Sequence, residues 1–584
     1  MYVQATSLIQ KGFWSRFVPS QGPFILKKLA IAFAFLISLL VLAVGGLYLK
    51  GGSAEVLLWA VKIFLRQEHE SNKEVTWAIP KANGDAVQTP TGTKPPNVIL
   101  IVADDLGYND ISLNGGGLAN GSVPTPHINS LAQQGANFDT SYSGNATCAP
   151  SRAAIMTGRY PTRFGFEFTP TPKQFMKVIG HYKGDHQLYD AIYHKDREKD
   201  LIPYETMGLP QSEITLAKLL KGNGYRTLHV GKWHLGDASE FRSYQHGFDQ
   251  SLSFPHASSL YLPENDPNVV NSQQSFDIID RFQWAAGSFG MRFNDGELFK
   301  PKRYVTDYMT DEAEKAIEAN RNHPFFLYLA YTAPHTPLQA TKEDYAALSH
   351  IEDHTLRVYA AMVRNLDRNI GRVLQTLKDK GLDDNTIVIF TSDNGGAHYV
   401  GLDGLNSPYR GWKATFFEGG IRVPLFMRWP AAIPKGVQPK VAVNHIDIFS
   451  TVAAATGAKL PSDRPIDGIN LLPQIGKPAD KGPERSLFWR TDTYRVIRKG
   501  DWKLQVTQNP KKDWLYNMAI DPTEKNNLAS KEPERVAALK KELEAFNATQ
   551  VKPSWPSMAE AAIAIDKNLR QKMTPTDEYV YYGN

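Results

Sequence analysis

The stretch NVILIVADD, residues 97–105, is a run of apolar, mostly β-branched side chains that stops abruptly at two aspartates. A strand with water on one face alternates apolar and polar residues, whereas a strand covered on both faces reads as a continuous apolar run. Residues 97–103 therefore predict an interior strand of a parallel sheet. Three more runs repeat the pattern: TIVIFTS (386–392) ends in Asp393-Asn394-Gly-Gly, PFFLYLAYTA (324–333) leads to Pro334-His335, and YRTLHVG (225–231) leads to Lys232-Trp233-His234. Helical patterns lie between them, EITLAKLLKGNG (213–224) and HTLRVYAAMVRNLDRNIGRVLQTLKDKG (354–381), the second with an apolar stripe at helical spacing and a glycine stop. Strands alternating with helices predict an α/β fold with a large, mostly parallel mixed sheet flanked by helices.

In such folds ligands bind beyond the carboxyl ends of the strands. Four strands would then deliver Asp104, Asp105, Lys232, His234, His335, Asp393 and Asn394 to one edge. Singly, each is more often a turn, a helix cap or a structural histidine. Four strands that all end in reactive groups are hard to assign to coincidence. Three carboxylates and an amide oxygen make an all-oxygen set, which suits a hard cation, Ca²⁺ or Mg²⁺. Zinc would call for His or Cys ligands.

The chain of 584 residues carries 65 basic and 60 acidic side chains, a net charge of +5. That charge is too small and too dispersed for a nucleic-acid partner. At 42% hydrophobic and 11% aromatic the chain is too apolar for disorder. It has one cysteine, so no internal disulfide forms. That cysteine stands in TCAPSRAAIMTGRY (147–160), where a proline opens and a glycine closes a helical pattern. Cys148 is thus expected at a helix N-terminus, where unpaired backbone N–H groups favour anions.

Cys148-Ala149-Pro150-Ser151-Arg152, followed by Thr157-Gly158-Arg159, resembles the signature of the formylglycine-dependent sulfatases, of the alkaline phosphatase superfamily. DDLGYNDIS (104–112), GKWHLG (231–236), APHTP (333–337), SDNGG (392–396) and GWKATFFEGG (411–420) resemble the family's other blocks, in order. Asn109 and Ile155-Met156 are slight departures from the usual pattern. The resemblance implies that a separate formylglycine-generating enzyme oxidises Cys148. It implies that Asp104, Asp105, Asp393 and Asn394 hold a divalent cation, foremost Ca²⁺, which Cys148 also touches. It implies that Arg152 orients the hydrated aldehyde beside Lys232 and His234, and that His335 and Lys413 meet the sulfate and its leaving oxygen. The implied reaction is arylsulfatase-like hydrolysis of a small-molecule or glycan sulfate ester, with aryl, sugar and steroid sulfates all open. The alternatives are a phosphodiester or phosphonate monoester hydrolase of the same superfamily, and a non-catalytic, membrane-tethered binder of sulfated glycans.

Residues 1–28 carry Lys11, Arg16, Lys27 and Lys28 and no acid, and Leu29–Leu49 runs 21 residues without a charge. About 20 apolar residues span a bilayer as a helix. A transmembrane signal anchor over 29–49 is expected, with the catalytic part outside the cytoplasm. Cleavage as a signal peptide and secretion is the alternative. Residues 50–96 read as a juxtamembrane segment and linker, 97–445 as the catalytic domain, and 446–552 as a C-terminal subdomain. That subdomain should hold a small antiparallel sheet, with a hairpin turn at Lys499-Gly500-Asp501, and one helix near 532–548. Residues 553–584 read as a tail. The segment 170–210, with His181, His186 and His194, reads as a loop that shapes a pocket.

Overall fold

The computed structural model describes Leu58, Lys62, residues 73–79 and residues 94–584 apart from 183, 185 and 186. The chain divides into two compact units, Met1–Arg66 and Gln67–Asn584. Of the first, only Leu58 and Lys62 are described, both helical. The expected membrane anchor at 29–49 lies outside the described residues, as does His186. Among the described residues no helix is long and apolar enough to cross a membrane.

The second unit is built on a nine-stranded sheet. In chain order its strands are β1 (Asn97–Ala103), β2 (Ala136–Asn137), β3 (Arg226–Gly231), β4 (Gln250–Ser253), β5 (Met291–Phe293), β6 (Leu298–Phe299), β7 (Phe325–Ala330), β8 (Thr386–Ser392) and β9 (Leu425–Arg428). Their spatial order is β2-β9-β8-β1-β7-β3-β4-β5-β6. The five strands from β8 to β4 are mutually parallel, and the flanking pairs are antiparallel. The sheet is thus mixed with a parallel centre.

The continuous apolar runs are explained by cover on both faces. All seven residues of β1 are buried. Ile99, Ile101 and Ala103 face one core, where α3 (Val305–Asn320) and α4 (His354–Asp379) pack. Val98, Leu100 and Val102 face the other, where α1 (Cys148–Thr157), α2 (Leu216–Gly222) and α5 (Ile446–Thr456) pack. Residues 73–79 run along the first core and bury Val75 and Trp77, whose Nε1 donates to Glu312 Oε2 at 3.0 Å.

The register aligns the strand ends. Ala103 pairs with Ser392, Val102 with Ala330, and Ala330 with Gly231. Asp104, Asp393, Lys232 and the turn to His335 therefore leave the sheet at one edge. Gly231 ends β3 at φ +113°, and a Cβ there would lie 2.0 Å from the Ala330 carbonyl oxygen. Only glycine permits that approach.

A four-stranded antiparallel meander follows: β10 (Ser486–Thr491), β11 (Tyr494–Lys499), β12 (Trp502–Gln508) and β13 (Lys511–Asn517). α6 (Pro533–Asn547) covers one face through Val536, Leu539 and Leu543. The other face, with Trp489, Tyr494 and Trp514, packs on Tyr142, Phe416 and Phe417 of the main body. The tail forms a hairpin, Ala559–Ala564 with Tyr579–Gly583, which pairs with Ile192–Tyr193. The segment 170–210 is not only loop, since Lys173–Gly180 is helical.

Candidate active site

Each site residue is placed by a strand end or a tight turn. Asp104 and Asp105 follow β1, and Asp105 takes a left-handed conformation, φ +60°, which aspartate tolerates better than most residues. Its amide donates to Asp393 Oδ1 at 3.2 Å, which ties the ends of β1 and β8. His234 also has φ +58°. The turn after Asn394 is held by close backbone contact, since a Cβ on Gly395 would lie 1.9 Å from the Gly419 carbonyl oxygen. That contact seats the 411–420 loop beside β8 and brings Lys413 into the site.

Cys148 is the first residue of α1, as its sequence predicts, and all ten residues of that helix are buried. Cys148 Sγ lies 3.5 Å from Asp104 Oδ1, 3.7 Å from Asp105 Oδ1 and 3.2 Å from Lys413 Nζ. Lys413 Nζ is also 2.7 Å from Asp105 Oδ1. Lys232 Nζ is 2.6 Å from Asp104 Oδ2. One turn into the helix, Arg152 donates from Nε to Asp393 Oδ2 at 2.9 Å and from Nη1 to the Lys232 carbonyl at 3.1 Å. His335 Nε2 stands 3.6 Å from Asp105 Oδ2. Its Nδ1 is 2.6 Å from the Thr336 carbonyl, a pure acceptor, so Nδ1 carries the hydrogen. Asn394 donates to Asp105 Oδ1 at 2.8 Å, while its own Oδ1 is buried without a hydrogen-bond partner. Both ring nitrogens of His234 are likewise buried and unpartnered.

The charges share one field. Burial would raise Asp105, but Lys413, His335 and Lys232 override it and hold its carboxyl well below the usual range. Burial raises Asp393, with Arg152 opposing. Burial also pushes the Cys148 thiol well up. Burial, then Lys232 and Arg152, drive His234 well below an ordinary histidine, and burial takes His335 down to about 3. Lys413 is driven well above an ordinary lysine: burial opposes its charge, but Asp105 outweighs it.

The ten residues named for catalysis, substrate and cation thus meet in one place. Asp104, Asp105, Cys148 and His335 each offer a ligand atom, all within 4.8 Å of one another. With the unpartnered Asn394 oxygen beside them, this donor set fits a divalent cation. His335 joins this cluster although the resemblance implies a place for it on the substrate side. Asp393 lies against it through Arg152 and the Asp105 amide.

Two tyrosines escaped the sequence reading. Tyr399 OH donates to Asp105 Oδ2 at 2.7 Å and lies 3.1 Å from Lys413 Nζ. Tyr328 OH accepts from Arg152 Nη1 at 3.3 Å. The one signal for Tyr328 was a polar-tipped ring inside an apolar strand. His194, one of the loop histidines, is bonded to Glu560 at 2.7 Å.

A family model described as Sulfatase matches residues 96–458, and one described as N-sulphoglucosamine sulphohydrolase, C-terminal, matches 410–549. The chain is 34% identical to N-acetylgalactosamine-6-sulfatase of Mus musculus over 420 residues, 71% of this chain and 72% of that one. It is 31% identical to steryl-sulfatase of Rattus norvegicus over 495 residues, 74% and 79% of the two chains. Among solved structures, Ps i-CgsB in complex with k-i-k-neocarrahexaose superposes with a TM-score of 0.65 at 32% identity, covering 79% of this chain and 94% of that one. With its motifs gathered at one sheet edge and the Sulfatase model matching more than half of its length, the chain belongs to the sulfatase family, whose reaction is the hydrolysis of sulfate esters.

Proposed function

We propose that the chain cleaves sulfate monoesters with position 148, oxidised to formylglycine, as nucleophile, and that Asp104, Asp105, Asp393, Asn394 and residue 148 hold a divalent cation, Ca²⁺ before Mg²⁺. The observation that carries this reading is the convergence of Cys148, Lys413 and the paired aspartates within 3.7 Å of the sulfur. The hydrated aldehyde supplies one hydroxyl to attack sulfur and a second whose deprotonation releases sulfate, and the cation supplies charge to the sulfate oxygens.

The chain's own residues do the rest. Lys232, Lys413 and Arg152 place three cations around the first turn of α1, at the positive end of that helix. Desolvation keeps His234 neutral, which a general base requires. His335 has Nδ1 committed to a carbonyl, so Nε2 is the ring position left to meet the sulfate or its leaving oxygen. Burial of every charged group excludes water and strengthens each interaction.

We take the substrate to be a saccharide sulfate ester, because relatives include an N-acetylgalactosamine-6-sulfatase and a protein solved with a neocarrahexaose. The basic segment 1–28 and the apolar run 29–49 support work outside the cytoplasm, either anchored or after cleavage.

Mass spectrometry of the peptide spanning 148 tests the nucleophile: an aldehyde is expected, and a fully active protein with an intact thiol would overturn it. Turnover of an aryl sulfate should exceed that of the matching aryl phosphate. The reverse order would favour the phosphate-ester alternative.

A further inference from the structure

His445 is wholly buried just ahead of α5, and three segments meet on its ring. Nδ1 accepts the Gly144 N–H at 3.3 Å and lies 3.1 Å from Ser151 Oγ, while Nε2 lies 2.9 Å from Thr391 Oγ1. A backbone amide only donates, so Nδ1 is the acceptor and Nε2 carries the hydrogen given to Thr391. The Ser151 hydroxyl then donates to the same Nδ1. Burial takes the ring down to about 3, so it stays neutral and this pattern of bonds persists at working pH.

Gly144 lies just before Cys148, and Ser151 lies in the first turn after it. Thr391 lies on β8 just ahead of Asp393. One imidazole thus joins the helix that carries the nucleophile to the strand that leads into Asp393 and Asn394. The ring does not cap its own helix. Asn444 Oδ1 accepts the Ile446 N–H at 3.2 Å, and the Asp447 carboxylate accepts Asn444 N–H at 2.8 Å and Ile469 N–H at 2.9 Å. The start of α5 is secured without His445. The fit is tight, since a Cβ on Gly144 would lie 2.3 Å from Ala154 Cβ.

We infer that His445 is a positioning residue for the sulfatase reaction, setting the separation between residue 148 and the Asp393–Asn394 pair. This rests on the nucleophile proposed above. A displacement of about 1 Å in such a site costs up to ~10²-fold in rate.

The test compares His445→Leu, His445→Asn and His445→Gln in the full chain. Aryl sulfate turnover is normalised to the formylglycine content of each sample by peptide mass spectrometry, and amide hydrogen exchange is followed over 143–152. His445→Leu should lower kcat by about 10²-fold with KM held within about twofold, and should speed exchange over 147–152. His445→Asn presents an oxygen where Nδ1 stood and should recover most of kcat. His445→Gln keeps only the donor toward Thr391 and should not. A folded His445→Leu with wild-type kcat, a change in KM in place of kcat, or an Asn variant no better than Leu would each overturn the inference. If His445→Leu does not fold, Ser151→Ala reads the same link from the helix side, with a lower kcat at constant KM expected and an unchanged kcat against it. Wild-type turnover with an unmodified thiol would count against the nucleophile and leave the variant-to-wild-type ratios, taken per mole of protein, to judge His445.

Discussion

Arg152 and Asp393 meet with neither side chain exposed, the guanidinium Nη2 2.8 Å and Nε 2.9 Å from the same carboxylate oxygen. The pair links the helix that starts at Cys148 to the end of β8. Breaking a buried pair by removing one partner costs roughly 3–5 kcal/mol, because the other charge stays buried. Arg152→Ala should therefore lower the urea midpoint and abolish turnover together. Arg152→Lys keeps the charge, but its single nitrogen cannot stand where Nε and Nη2 meet Asp393 and also where Nη1 meets the Lys232 carbonyl and Tyr328. It should fold and lose at least ~10²-fold in kcat. A fully active lysine variant would show that charge without the planar fork suffices.

Much of this site was legible because it hangs on local rules. The runs at 97–103 and 386–392 are continuous precisely where both faces are covered, and each ends on its chemistry. Cys148 was placed at a helix start by Pro150 and Gly158. Tyr399, Tyr328 and His445 were not legible, because their value comes from what lies across the fold. Tyr399 acts on Asp105, 294 positions away, and His445 on Ser151, likewise 294 positions away. Neither short-range spacing nor periodicity carries such pairings. The hairpin in the tail was missed for a related reason: Ala559–Ala564 is a strand through its partners, and AEAAIA reads no differently from helix.

Chelation should remove activity and stability together. Dialysis against EDTA is expected to abolish aryl sulfate turnover and lower the melting temperature, and Ca²⁺ should restore both. A cation at about 100 times its Kd adds roughly 2.7 kcal/mol to the folded state. Zn²⁺ should restore less, since it prefers nitrogen and sulfur donors. Asp105→Asn should make melting insensitive to Ca²⁺. Full activity after exhaustive chelation would remove the cation from the reaction.

Asp110 gives the protein a pH dependence of its own. Its Oδ2 accepts from the Gly107 N–H at 2.7 Å and from Tyr359 OH at 2.6 Å, while Oδ1 is buried without a partner. Burial raises its pKa from 3.8 to about 8, against those two hydrogen bonds. The folded state holds this proton more tightly than the unfolded chain. The stabilisation is therefore full below the unfolded value and is lost as pH rises through about 8. Asp110→Asn carries no such proton. Relative to wild type, the variant should gain stability as pH rises from about 5 to about 8 in urea unfolding. A wild-type-to-variant difference that stays flat across that range would show the carboxyl to be ionised throughout.

Lys503 supports the loop that carries Lys413 from below. Its Nζ lies 2.7 Å from Glu418 Oε1 and 2.9 Å from Glu524 Oε1, and none of the three side chains is exposed. Glu418 stands five residues beyond Lys413, and its amide donates to Glu524 Oε2 at 2.6 Å. Burial raises Glu524 to about 7, with Lys503 pulling down and Glu418 pushing up. Lys503→Met removes the shared cation and leaves two carboxylates facing each other, which should cost roughly 3–5 kcal/mol. Without the lysine, Glu524 must keep a proton to stay buried, so its folded value climbs further and the penalty grows with pH. Urea midpoints should fall further at about pH 8 than at about pH 5.5. Equal losses at both would mean that Glu524 stays charged without its partner, and that the strut works by packing of the lysine stem rather than by its charge.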